Sequence, residues 1–459
     1  MKQLPFMKYA AGILAGIFLP LHACRKTEAG GQPSITIAED TLYAGKKTAV
    51  SAVIQLQNAH LIKELKIQQE TAPGKFSEYV RVPAAQLSGQ YDFRFDIPGN
   101  KQDIYAFLIV VIDQGGKPVD TKRLYVNTQT GLVPVKLTRI SRLTGAPLAG
   151  EKIINPAPTA RWNIGGTDLG IMWDMENGQT GIFFGDTYGN DFKPVGGGPG
   201  AAGQWRYNTL GFSGDAHLDD GLSIDHMAAD PGNDNFARQI IPKSPNGYTA
   251  IPSGAIHVKG IDYVHYWDLR SWDGFVTNFA SLYQSADHGK NWTRCTSVYY
   301  PAGSKFTCSA YAKKDGYVYI VGTKVLRGTV PYLARCREQD LLNQPAHEYW
   351  NGTQWIVNDE TAATPLFNGA MGEASLSFNQ YYHVWMLTYL GDRDLEIRYA
   401  HDVSGPWSGP NILVNTSLYP ALYGAFVHPL SGGKEIYFNM SQWVPYNVFF
   451  MKAELAFME

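Results

Sequence analysis

Charge is what this sequence has least of: Asp, Glu, Lys and Arg make up 17% of it, against about 25% in an average soluble chain. The net charge is -2 with no Lys/Arg run, so there is no basic field for a phosphate backbone and nucleic acid is excluded as a partner. Cysteine is scarce as well, four in 459 residues and none in Cys-x-x-Cys spacing, which removes a cysteine-ligated zinc site. Among the histidines, which include His226, His257, His265, His288 and His401, no His-x-x-x-His or His-His-carboxylate spacing stands out. No catalytic transition metal is therefore expected. A Gly-x-Ser-x-Gly elbow for a nucleophilic serine is missing too.

No apolar run is long enough to span a bilayer. The one near the start, "AAGILAGIFLPL", follows Lys2 and Lys8 and ends on Leu21-His22-Ala23-Cys24. It reads as a lipoprotein signal over 1–23, with Cys24 lipidated. The expectation is a chain anchored by lipid in the bacterial cell envelope, at the outer membrane or cell surface, and otherwise monomeric. The three remaining cysteines, Cys295, Cys308 and Cys336, leave room for at most one disulfide, with Cys295–Cys308 the candidate.

What the chain has in abundance is aromatic residues, 13%, with 11 Trp and 27 Tyr. After a Gly-rich tether over 24–34, short alternating runs such as "KTAVSAVIQLQ", "YDFRFDIP" and "IYAFLIVVID" predict an immunoglobulin-like β-sandwich over 35–140. It contains one histidine, His60, and no cleft-forming glycine loop, and so reads as a spacer.

From about residue 150 the texture becomes rich in Trp, Gly and Tyr. Five segments repeat a polar residue, two mostly small residues and an apolar strand: "DLGIMW", "SGAIHV", "TCSAYA", "EASLSF" and "YGAFVH". Each precedes a turn and a second strand, and their starts lie 85, 54, 66 and 50 residues apart, room for four strands each. This predicts a five-bladed β-propeller over 150–459. "SADHGKNW" at 285–292 matches an Asp-box, a structural hairpin turn in which Asp287 caps backbone and Trp292 packs.

In a propeller the residue opening each inner strand faces the channel mouth. That places Asp168, Ser253, Thr307, Glu373 and Tyr423 in a polar ring. A three-residue loop Glu176-Asn177-Gly178, with Gly178 left-handed, pairs Met175 with Gln179 and hence Asp168 with Asp186. Directly opposed residues lie about 4.5–5.5 Å apart at Cβ, so two carboxyls would share the mouth and one would keep its proton. That is the apparatus of glycosidic-bond cleavage, with Glu373 a further candidate acid. Arg161, Trp162, Arg206, Asn208, Ser253, Trp267, Trp272, Arg335, Tyr423, Trp443, Tyr446 and Asn447 are the candidate sugar contacts. No cofactor is called for, and a structural calcium ion in the channel is left open.

"GTDLGIMWD", "FFGDTYG", "WRYNTL", "IPSGAI", "SADHGKNW", "YLARCR", "EYWNGTQW", "MGEASLSFN", "GPWS" and "WVPYNV", in this order, resemble the domain-of-unknown-function family 4185 over roughly 150–459. The resemblance implies an endo-D-arabinofuranase, a glycoside hydrolase cutting the D-arabinan of mycobacterial arabinogalactan and lipoarabinomannan. Carried onto this chain, the family's paired catalytic aspartates are those of "GTDLG" and "FFGDT", Asp168 and Asp186. Two rival readings are a non-catalytic glycan-binding lipoprotein and a sialidase-like enzyme in which Arg161, Arg206 and Arg335 grip a carboxylate.

Overall fold

A computed structural model describes residues 31–72, 74–99, 103–145, 153–156, 158–193 and 203–459. The predicted signal, Cys24 and most of the tether lie outside the described residues. Among the described residues the helices are 3-10 turns of three or four residues, and none is long and apolar enough to cross a membrane. The described residues form two compact units, one running to Thr130 and including Glu459, the other within Gly131–Met458.

The first unit pairs Ser34–Ile37, Ala49–Gln57 and Gln90–Asp96 in one sheet. Five strands make the other: Thr41–Tyr43, Pro118–Asn127, Ile104–Asp113, Ile62–Ala72 and Lys75–Pro83, in that spatial order. Thr41–Tyr43 runs parallel to Pro118–Asn127 and the other neighbours are antiparallel, which is an immunoglobulin-like sandwich. Period-two strands make its core: in Gln90–Asp96 Phe93 and Phe95 face inward while Asp92, Arg94 and Asp96 face water.

The second unit contains five four- or five-stranded sheets. Their inner strands are Leu169–Asp174, Thr249–Val258, Cys308–Lys314, Ala374–Asn379 and Leu422–Val427, the segments picked out by the repeat. Each neighbours the next, and the last returns to the first, closing the circuit of a β-propeller. The fifth blade has three strands from the C-terminal end and takes its fourth, outer strand from Gly131–Arg142, paired antiparallel with Asn447–Met458. The sandwich therefore ends at 130 rather than 140: the last of the early strands belongs to the propeller, where its backbone groups find partners.

The Asp-box forms as expected. Asp287 Oδ1 accepts from the Asn291 amide at 2.8 Å, and Trp292 packs edge-on against Phe183 of the first blade at 5.2 Å between centroids. The candidate disulfide does not form. Cys295, Cys308 and Cys336 are free and buried, because Cys295 lies in the outer strand of blade two while Cys308 opens the inner strand of blade three.

Candidate active site

The Glu176-Asn177-Gly178 loop has the expected geometry: Met175 N–H donates to Gln179 O at 3.0 Å and Gly178 is left-handed, φ 84°. The register then slips. Leu169 and Gly170 both take positive φ, 65° and 78°, and form a bulge, so Leu169 opposes Phe184 and the Gly185 amide donates to Asp168 O at 3.1 Å. Asp168 is thus opposite Gly185, not Asp186 as the turn arithmetic gave. In a regular pleat a one-residue slip sends the side chains to opposite faces, but a bulge re-aims them. Beyond it the pairing recovers, with Gly166 opposite Tyr188, and Thr167 and Thr187 touch through their hydroxyls at 2.7 Å. The residues flanking the two acids are tied together, and the two carboxyls are near enough for the charge of one to act on the other.

The same device recurs around the mouth. Inner strands two and five also bulge, at Ser253 and at Gly424, φ 67°. Tyr423, just before its bulge, donates its hydroxyl to Asp168 Oδ2 at 2.9 Å. Asp168 Oδ1 is buried without a hydrogen-bond partner beside Gly185, where any Cβ would fall 2.3 Å from it. Asp186 is 5% exposed, and its Oδ1 accepts from Trp205 Nε1 at 2.9 Å and Thr249 Oγ1 at 2.8 Å.

Neutral donors are thus all that these carboxyls hold, and burial dominates their titration. Asp168 is pushed up to about 8 by burial first and by the Asp186 charge second, against the pull of the Tyr423 and Tyr446 hydroxyls. Asp186 is raised to about 7 by burial, held back by Thr249 and Trp205. With more support for its charge, Asp186 is the better anion and Asp168 the better proton carrier.

Glu373 is at the mouth but engaged. Arg327 holds both its oxygens, Nη2 to Oε1 at 2.5 Å and Nε to Oε2 at 3.2 Å, in a bidentate ion pair. Both oxygens of this candidate acid are therefore already committed to Arg327.

Aromatic side chains complete the mouth in a closed circuit of ring contacts. Tyr188 stacks with Trp205 at 6.5 Å, and Trp205 meets Tyr248 at 5.4 Å, Tyr248 meets Trp272 at 6.4 Å and Trp272 meets Phe275 at 6.2 Å. Arg327 bridges Phe275 to Tyr423, and Trp443 and Tyr446 lead back to Tyr188.

Of the candidate contacts, Tyr423, Trp443, Tyr446 and Trp272 belong to this circuit. The others are not part of it. Asn208 is fully buried and bonds the backbone of Ile240, Ile241 and Ala250. Arg206 braces the carbonyls of Ala237 and Asn163, and Asn447 accepts from Thr144 at 2.8 Å. Arg161 caps the carbonyls of Ile224 and Asp225 over the ring of Trp162, itself buried in core, as is Trp267. Arg335 pairs with Glu348 on an outer strand pair of blade three. Ser253 and Thr307 make backbone contacts, Ser253 to Ser309 and Thr307 to Ser304. Asn208, Arg206, Arg161, Ser253 and Thr307 thus satisfy backbone groups, which a folded loop needs before a ligand does. The three arginines of the sialidase-like reading do not converge.

Trp205, Thr249, Tyr248 and Arg327 are site residues that sequence reasoning passed over. Trp205 sits in "WRYNTL", one residue before the Arg206 that was chosen, and Arg327 carries no motif.

Residues 155–452 match the family model described as "Domain of unknown function (DUF4185)". The chain is 26% identical over 308 residues to notoamide biosynthesis cluster protein J' of Aspergillus versicolor, covering 62% of this chain and 82% of that one. It is 25% identical over 309 residues to notoamide biosynthesis cluster protein J of Aspergillus sp. (strain MF297-2), covering 62% and 81%. Among solved structures, a GH43_1 enzyme from Xanthomonas citri complexed with xylotriose aligns with TM-score 0.40 and 12% identity over 65% of this chain and 92% of that chain. A structure described as a glycoside hydrolase aligns with TM-score 0.37 and 10% identity over 65% and 88%. The family match spans more than half of the sequence, and the chain belongs to the DUF4185 family.

Proposed function

We propose that the protein is an endo-acting glycoside hydrolase that cleaves D-arabinofuranosyl linkages in mycobacterial-type arabinan, with Asp168 as general acid and Asp186 as the carboxylate facing the anomeric carbon. The observation that carries this is a pair of buried carboxyls at one propeller mouth, held by neutral donors alone. Near pH 7 such a pair keeps one proton and one charge. Asp168 gives its proton to the glycosidic oxygen as the C–O bond breaks. Asp186 supports the anomeric carbon, either by taking a proton from the attacking water or by attacking it directly. The anomeric configuration of the first product, read by NMR, distinguishes these.

Tyr423 orients Asp168, and Trp205 with Thr249 orient Asp186. No metal or cofactor takes part in this scheme. The chain acts as a monomer, held outside the cytoplasm by lipid on Cys24, with arabinan as its polymer partner. The test is incubation with mycobacterial arabinogalactan and analysis of released oligosaccharides, alongside Asp168→Asn and Asp186→Asn. Release by the wild type and not by the variants supports the reading. Binding without products, unchanged in Asp168→Asn, supports a glycan-binding lipoprotein instead.

A further inference from the structure

The mouth is not symmetrical. The inner strand of blade two has ten residues, against six or seven in the other four blades. Its level is fixed by Gly254, which abuts Ser309 and Ala310 at the start of blade three. Thr249–Pro252 therefore continue the paired strand beyond that contact. The next strand, Ile261–Ser271, matches it and turns through Trp272–Phe275, where Gly274 and Phe275 take positive φ. The extra length of blade two brings the buried Thr249 to the mouth, where it bonds Asp186.

The rim beside Thr249 is aromatic. Tyr248 is 50% exposed, and it touches two partly exposed indoles, Trp205 at 46° and Trp272 at 76° between ring planes. Trp205 spends its one donor on Asp186, so its ring face is what it has left to offer. Exposed large aromatics that are rigidly placed at a mouth mark a binding surface. Their centroid spacings, 5.4 and 6.4 Å, are of the order of one monosaccharide. The tilted planes make a curved surface, suited to a flexible, bent glycan rather than a flat ribbon.

We propose that Trp205, Tyr248 and Trp272 form a stacking platform that holds consecutive sugar residues of a glycan chain on the Asp186 side of the cleaved bond. This rests on the glycosidase reading for its substrate class. The platform makes the enzyme favour long chains, because each stacked residue adds binding that is remote from the reacting atoms.

Tyr248→Ala, Trp272→Ala and Tyr248→Phe test it, each checked for an unchanged melting temperature. With arabinan, the two alanine variants should raise KM about tenfold with kcat changed less than about threefold, and shift the products toward a different chain length. Tyr248→Phe, which keeps the ring, should restore both. Tryptophan fluorescence titration of arabinan into Asp168→Asn protein should show binding that Tyr248→Ala, added to it, weakens about tenfold. Unchanged KM, product length and binding in both alanine variants would overturn the platform. If the wild type cleaves nothing yet the same substitutions weaken binding, the platform stands and the hydrolase reading falls. An absence of glycan binding altogether overturns both.

Discussion

The two ends of the propeller's inner strands each bury an aspartate under an indole N–H, and they part company in what else surrounds it. At the far end Trp173 Nε1 donates to Asp262 Oδ1 at 2.9 Å, as Trp205 does to Asp186 at the mouth. Asp262, however, lies 2.8 Å from His257 Nδ1, with His288 at 3.9 Å and Lys313 paired to Glu176 close by. The mouth gives Asp168 and Asp186 hydroxyls and an indole, and spends its one arginine on Glu373. A buried carboxyl held by neutral donors alone keeps its proton to higher pH, and a retained proton is what acid catalysis needs.

The comparison breaks most visibly through substitution at each end. Asp168→Asn and Asp186→Asn should each lower arabinan turnover about a hundredfold to ten-thousandfold. Asp262→Asn should leave kcat within about threefold while lowering unfolding free energy by about 1–3 kcal/mol, read by urea denaturation. Equal loss of activity at the two ends would erase the distinction.

The neutral surroundings also set the pH profile. The kcat/KM should be bell-shaped and centred between about 7 and 8, falling on the acid side as Asp186 gains a proton and on the alkaline side as Asp168 loses its own. Two single substitutions should move the alkaline limb in opposite directions. Glu373→Gln removes a negative neighbour and leaves Arg327 uncompensated near Asp168, so that limb should fall by about one pH unit. Tyr423→Phe removes a donor that holds the Asp168 carboxyl down, so it should rise.

How much of this was legible in the sequence follows the same division. The inner strands were visible because a closed circle of five forces small residues and an apolar run at each repeat, and the Glu176-Asn177-Gly178 loop because its glycine had to be left-handed. The bulge at Leu169 was not, since a leucine at positive φ is held there by tertiary contacts that no local rule encodes. The acids were found through a register that is off by one, yet they lie close enough for the Asp186 charge to raise Asp168. The internal bonds of Asn208, Arg206 and Asn447 were not legible either, because a polar side chain near a mouth looks the same in sequence whether it awaits a ligand or bonds a neighbour.

The smallest expected effect is on stability. A carboxyl whose folded pKa is raised favours the fold while protonated, so this contribution is present below the ordinary aspartate range near 4 and is lost as pH rises toward about 8. Asp168→Asn should therefore raise the melting temperature at pH 8 by a few degrees and change it little at pH 4, measured by scanning calorimetry.

The most direct test of the central claim is to follow the mouth carboxyls themselves, by infrared difference spectroscopy of wild type against Asp168→Asn and Asp186→Asn between pH 4 and pH 9. A protonated carboxyl persisting at pH 7 in the wild type and missing from Asp168→Asn is the predicted result. Carboxylates fully ionised by pH 5.5 in all three proteins would contradict it.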